Sequence, residues 1–239
     1  CVHHNDNYPP ANDNLGPNEI LDGRNIGNDF SNINGWSMYH GEKIPGFPRH
    51  PHRGFEICTF IIEGSIEHHD TKTRKWTLLE RGDAQVIRSG SGIQHSEKMN
   101  PGSRLFQIWF DPNLKQSLYY DSSYSDYSEA TFPIAKRQGV TIQTLVGQGS
   151  QIRLQTSTRI RRLKFKCGSY KVPMTPGFRS GIFVLEGKLA INDHISKKND
   201  FAVVVDEARL SINSVTNSDI FIVEVPNPAP YETFASTQN

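Results

Sequence analysis

The sequence predicts an all-β protein built from two copies of one β-unit, and three observations carry that reading. Short runs rich in Val, Ile, Phe and Thr recur along the chain, each bounded by Gly, Asp, Asn or Lys, as strands and turns alternate in a sandwich or barrel. No long amphipathic helix can be traced. One segment is repeated: residues 50–64 read HPHRGFEICTFIIEG and residues 173–187 read PMTPGFRSGIFVLEG, so Gly54, Phe55, Phe60, Glu63 and Gly64 stand 123 positions before Gly177, Phe178, Phe183, Glu186 and Gly187. Self-similarity of this kind points to a duplicated supersecondary unit.

In chain order, residues 1–14 read as a mobile polar tail, 15–125 as the first β-unit, 126–134 as a linker, 135–230 as the second unit and 231–239 as a closing tail. The first unit holds the runs Phe55 to Ile62, Trp76 to Leu79, Ala84 to Arg88 and Leu105 to Phe110. The second holds Thr141 to Val146, Gly181 to Leu185, Phe201 to Val205 and Ile220 to Val225. In Phe55 to Ile62 both alternating faces are largely apolar, which predicts a strand buried on both sides. GDAQVI from Gly82 is echoed by NDFAVV from Asn199 at an offset of 117, so the copies differ by a short deletion. The tyrosines between the copies, Tyr119, Tyr120, Tyr124 and Tyr127, read as packing residues of an ordered crossover or linker, with the lining of a substrate entrance as the alternative.

Composition narrows the function classes. A hydrophobic content of 36% with 19 Gly and 14 Pro fits a turn-rich globular chain. No apolar window is long enough to span a bilayer. A formal charge of +1 gives no global field toward nucleic acid or membrane. The basic run RIRRLKFK, 159–166, is read as a solvated sheet face, with direct nucleic-acid binding disfavoured. Cys1, Cys58 and Cys167 form no C-x-x-C pair, which favours a reducing, cytoplasmic setting, or a nuclear one in a eukaryote. The chain opens on Cys1, read as truncation or processing; a lipid-modified N-terminus there is the disfavoured alternative.

The chemistry concentrates in the first unit. His50 and His52 lie two apart, and so do His95 and Glu97 in GSGIQHSEK. On a strand, residues i and i+2 share a face, so each pair can reach one ion. Three imidazoles and a carboxylate suit a first-row ion and leave coordination positions open. At the matching positions the second unit has Pro173, Thr175, Ile212 and Ser214, so metal binding is expected only in the first. Phe47, Pro48, Arg49, Arg53, Gln94 and Ser96 flank the ligands, and Gly90 and Gly92 allow the bend that delivers His95. His40, His68, His69 and His194 have no partner at ligand spacing and are read as solvated or hydrogen-bonded in the core.

GFPRHPHRGFE at 46–56, the turn at Glu63 and Gly64, the run ending at Asp70, GDAQ at 82–85 and SGSGIQHSE at 89–97 resemble the signature of the pirin family of cupins. The resemblance implies two antiparallel cupin-type β-barrels packed face to face. It also implies one divalent metal, iron first, with Mn, Ni, Cu, Co or Zn as alternatives, held by His50, His52, His95 and Glu97. Glu56 is placed beside the ligands, orienting a histidine N–H. The implied activity is dioxygenation of a flavonol such as quercetin with O₂, with Glu97 as general base and Phe55, Phe60 and Phe106 as candidate pocket walls. The alternative is a metal-containing, redox-sensing transcriptional co-regulator that binds a protein partner without catalysis.

Overall fold

In a computed structural model, residues 2–4, 18–21, 30 and 32–234 are described, the first two segments by their strand backbones alone. Cys1 and most of the 1–14 tail lie outside the described residues, as do residues 235–239 of the closing tail. Strands dominate. Among the described residues the only helical elements are one turn of α-helix, Leu114–Ser117, and a 3₁₀ turn, Glu129–Thr131. Among the described residues no helix is long and apolar enough to cross a membrane.

The chain divides into two compact units. One comprises Asn12–Thr131, Leu154–Thr156 and Ala229–Asn239; the other comprises Cys1–Ala11, Phe132–Arg153 and Ser157–Pro228. In the first, a six-stranded antiparallel sheet runs Ser123–Tyr127, Ala84–Arg88, Glu56–Glu63, Arg104–Phe110, Ile33–His40 and Asn18–Leu21. A four-stranded sheet runs Gly46–His52, Ile93–Met99, Ser65–Asp70 and Trp76–Glu80. Glu56–Glu63 is buried along all but its last residue because it is paired on both sides and apolar on both faces. Ile93–Met99 and Ser65–Asp70 instead alternate in burial, so each turns one face inward. Ile93 and Met99 belong to separate apolar clusters, and His95 and Glu97 lie between them along the inward face.

The second unit repeats this plan. Its seven-stranded sheet runs Val2–His4, Phe201–Val204, Phe178–Glu186, Ser218–Pro226, Arg159–Phe165, Val140–Val146 and Ile134–Arg137; its four-stranded sheet runs Gly168–Pro173, Arg209–Ser214, Lys188–Ile191 and His194–Lys197. Phe178–Glu186 is flanked on both sides, as its counterpart Glu56–Glu63 is. Ile212, at the position matching His95, joins the apolar core with Leu189, Ile191 and Leu210.

Several expectations are corrected. The units are not closed barrels: their ladders remain open sheets with edge strands. One reason is local, since Gly46–His52 carries Pro48 and Pro51, which have no N–H to donate to a neighbour on the open side. The region read as crossover supplies the Ser123–Tyr127 strand, paired with Ala84–Arg88, and Tyr124 joins the candidate site described below. Val2–His4, read as tail, pairs with Phe201–Val204. Tyr231 is tied into the first unit, accepting from Asn32 Nδ2 at 3.1 Å and donating to the Asp111 carbonyl at 3.1 Å. In the basic run, Arg161 pairs with Glu224 at 2.9 Å and Arg162 with Asp219 at 2.7 Å, which neutralises two of its three arginines.

Candidate metal centre

Register places the ligand candidates. His50 lies opposite His95, and on the other side of the same strand His95 lies opposite Asp70 and Glu97 opposite His68. Residues opposite one another on neighbouring strands share a face, so four strand positions two apart project into one interior. A bulge between Phe47 and His50 adjusts the first strand and re-aims its side chains.

The three histidines converge. His95 Nε2 lies 2.9 Å from His52 Nε2 and 3.0 Å from His50 Nε2. Two nitrogens bound at right angles to one ion, each ~2.1 Å away, are separated by about 3 Å, so this spacing fits a shared cation. The His50 Nδ1–H donates to the Pro48 carbonyl at 2.8 Å; a carbonyl only accepts, so the His50 Nε2 lone pair is left free for the ion. His95 is buried, while His50 and His52 are half-buried, and a shallow cavity of about 520 Å³ lined by His52, Arg53, Thr71 and Gln94 opens beside them. Burial, then neighbouring imidazoles, lowers His52 to about 4 and His95 to about 2. Both are therefore neutral donors at ordinary pH. The donor set fits a borderline divalent ion.

Glu97, expected as the fourth ligand, lies among a second group of side chains. Its nearest metal-binding neighbours are His95 and a histidine that sequence reasoning passed over, His68. Gln85 Nε2 donates to one of its oxygens at 2.7 Å and Gln107 Nε2 to the other at 3.3 Å. Burial raises its pKa to about 7 despite those two donors. Gln85 in turn accepts from the Tyr124 hydroxyl at 3.3 Å, and Gln107 from Trp109 Nε1 at 3.0 Å. The carboxylate thus ends a chain of amides and aromatics drawn from three strands of the six-stranded sheet.

His68 is fully buried. Its Nε2–H donates to Asp70 at 3.1 Å, its ring stacks on Tyr124 with centroids 4.3 Å apart, and its Nδ1 has no partner. Burial, outweighing the Asp70 charge, lowers it to about 4. Burial works against ionisation of Asp70, but donors from Thr73 and Lys72 prevail and hold its pKa down. Trp109 meets His52 edge-on at 4.7 Å and tilts against Phe55 at 5.9 Å.

Two expectations need revision here. Glu56 does not orient a histidine. It accepts from the backbone N–H groups of Gln155 at 2.8 Å and Thr156 at 3.2 Å, because the Leu154–Thr156 segment packs onto this unit. Of the phenylalanines considered as pocket walls, Phe60 and Phe106 are core residues, Phe106 packing edge-on against Trp36; only Phe55 reaches the histidines, through Trp109. Gln85 was legible within GDAQ, but Gln107, Trp109, Tyr124 and His68 carry no local spacing signal.

Comparison with known proteins agrees with this architecture. Residues 22–110 match the Pirin family. A Pseudomonas aeruginosa protein named "Putative quercetin 2,3-dioxygenase" is 30% identical over 203 residues, covering 82% of this chain and 84% of its own. Among solved structures, quercetin 2,3-dioxygenase from Acinetobacter baumannii superposes with a TM-score of 0.81 at 18% identity, over 100% of this chain and 93% of that one. A bacterial pirin from Escherichia coli in complex with nickel(II) gives 0.68 at 24% identity, over 94% and 91%.

Proposed function

This chain belongs to the pirin family, and from that premise we propose that it is a metal-dependent dioxygenase cleaving a flavonol such as quercetin with O₂. His50, His52, His95 and Glu97 hold one divalent ion, iron in the cell, with Mn, Ni, Cu, Co or Zn as substitutes. The observation that carries this reading is the convergence of three imidazoles, His95 Nε2 lying within 3.0 Å of both His52 Nε2 and His50 Nε2, near the buried carboxyl group of Glu97. Relatives named for quercetin dioxygenation and a relative crystallised with nickel(II) support the choice of substrate and ion class.

When bound, the ion supplies a Lewis acid that stabilises the anion of the substrate's 3-hydroxyl. Glu97 accepts that proton on a carboxylate oxygen, a role suited to a group with a pKa near neutrality. Gln85 and Gln107 hold both of its oxygens, fixing the direction in which it receives the proton. The Pro48 carbonyl keeps His50 in the tautomer that binds through Nε2. Trp109 and Phe55 give the flat substrate an apolar wall next to His52. Free thiols at Cys58 and Cys167 accord with work in the cytoplasm.

The test is aerobic loss of quercetin absorbance by metal-loaded protein. Glu97→Gln keeps the side-chain size and one oxygen but cannot accept the proton, so it retains part of the metal and loses about 10²- to 10⁴-fold in rate per loaded site. Wild-type turnover by a metal-loaded Glu97→Gln chain rules out the base assignment. No turnover with Fe, Mn, Ni, Cu or Co ends the dioxygenase reading and leaves a metal-containing protein-binding module in its place.

A further inference from the structure

The second unit contains a cavity of about 710 Å³, within the usual range for small-molecule sites. It lies where its sheets fail to close. Ile134–Arg137, beside Val140–Val146, ends the seven-stranded sheet, and Gly168–Pro173 ends the four-stranded one. The lining between these edges includes Val140, Ile142, Leu163, Phe165, Tyr170 and Val172. Val140, Ile142 and Tyr170 pack, only partly buried, on the unit's apolar cluster, so the cavity floor is core surface left open. The rings of Phe165 and Tyr170 stand 5.1 Å apart at 46° and give it an aromatic end.

The rim has one sign of charge. Arg137, Lys166 and Lys171 line the cavity, all three are exposed, and no Asp or Glu lines it. Lys171 is engaged by the Ser211 hydroxyl. Arg137 and Lys166 have no acidic partner among the described residues, unlike Arg161, Arg162 and Lys198 of the same unit. An apolar, partly aromatic floor under two uncompensated cations complements a molecule with the same division: a flat apolar body ending in an anion. We propose that this cavity binds an aromatic carboxylate, its ring against Phe165, Tyr170 and Ile142 and its carboxylate on Arg137 and Lys166. No residue of the candidate metal centre lines this cavity, and its lining offers no imidazole or carboxylate.

The experiment titrates 2-naphthoate into the whole 239-residue chain by calorimetry. A dissociation constant below about 1 mM is expected for so small a ligand, weakened at least tenfold by the double substitution R137A/K166A. 2-Naphthamide, with the same body and no charge, binds at least tenfold more weakly than the acid. Cys167 is an exposed free thiol in the cavity lining, so saturating 2-naphthoate slows its alkylation, read by peptide mass mapping that separates it from Cys1 and Cys58. That readout is local and does not move if the carboxylate binds only at the metal. Unchanged affinity in R137A/K166A overturns the proposal, as does unaltered Cys167 alkylation at saturation. Binding of an acidic peptide at this rim in place of 2-naphthoate overturns it too.

Discussion

His95 sits where the candidate centre is most constrained: it is buried, its Nε2 faces both His52 and His50, and Glu97 follows it by two residues on the same strand. Removing either His52 or His95 takes one donor from the proposed set of four. His52→Ala and His95→Ala therefore purify with little metal by elemental analysis, and full occupancy in both would refute the ligand assignment. The same burial makes the metal-free protein acid-sensitive. His52 and His68 fall to about 4 and His95 to about 2, from 6.5. Their folded pKa values lie below the unfolded one, so between these values the unfolded chain binds more protons and stability drops as pH falls. Glu97, raised from 4.5 to about 7, acts in the opposite sense: its contribution is complete below 4.5 and fades as pH rises through 7. Burial raises Glu56 as well, in the same sense as Glu97, whereas the lowered Asp70 acts with the histidines, so four groups that lose stability as pH falls outnumber two that gain it. The denaturation midpoint of metal-free protein should fall as pH drops from about 6.5 toward 4, and a flat profile would contradict the burial of these rings.

Strands carry these residues to one place, and two small features fix how they do so. Gly46 starts the strand bearing His50 and His52 with φ +145°, and a Cβ there would lie 2.1 Å from the Glu97 carbonyl oxygen. A side chain must push apart the two strands that hold the ligands. Gly46→Ala should cost about 1–3 kcal/mol for the strained backbone alone and lower metal content; unchanged occupancy would show that this close approach does not set the site. Glu56 works on the other sheet, where its buried carboxylate binds the N–H groups of Gln155 and Thr156. Glu56→Ala strips the N–H groups of Gln155 and the buried Thr156 of their acceptor and should destabilise by about 1–3 kcal/mol, seen as a lower urea midpoint at constant slope. Metal content at saturating ion should be unaffected, because Glu56 does not touch the histidines.

Across the whole molecule the chain holds two similar β-units, and among the described residues only the first brings metal-ligating side chains together. Ile212 and Ser214 occupy the second unit's counterparts of His95 and Glu97, and Ile212 is part of an apolar cluster. Metal analysis should therefore give one ion per chain, falling to near zero in His95→Ala; two ions per chain would mean the second unit binds by a route its residues do not suggest. The sequence alone determined the all-β class, the repeat, the doubly buried Phe55 to Ile62 strand and the paired spacings His50/His52 and His95/Glu97. All of these are local, since alternation and i,i+2 spacing follow from strand geometry whatever the neighbours are. The tertiary structure decided the rest. Edge strands with proline leave the ladders open where barrels were expected, and what a sheet edge pairs with depends on distant segments. His68, Gln85, Gln107, Trp109 and Tyr124 meet the centre from strands far apart in the chain. Their roles rest on cross-strand register, which no window of sequence contains.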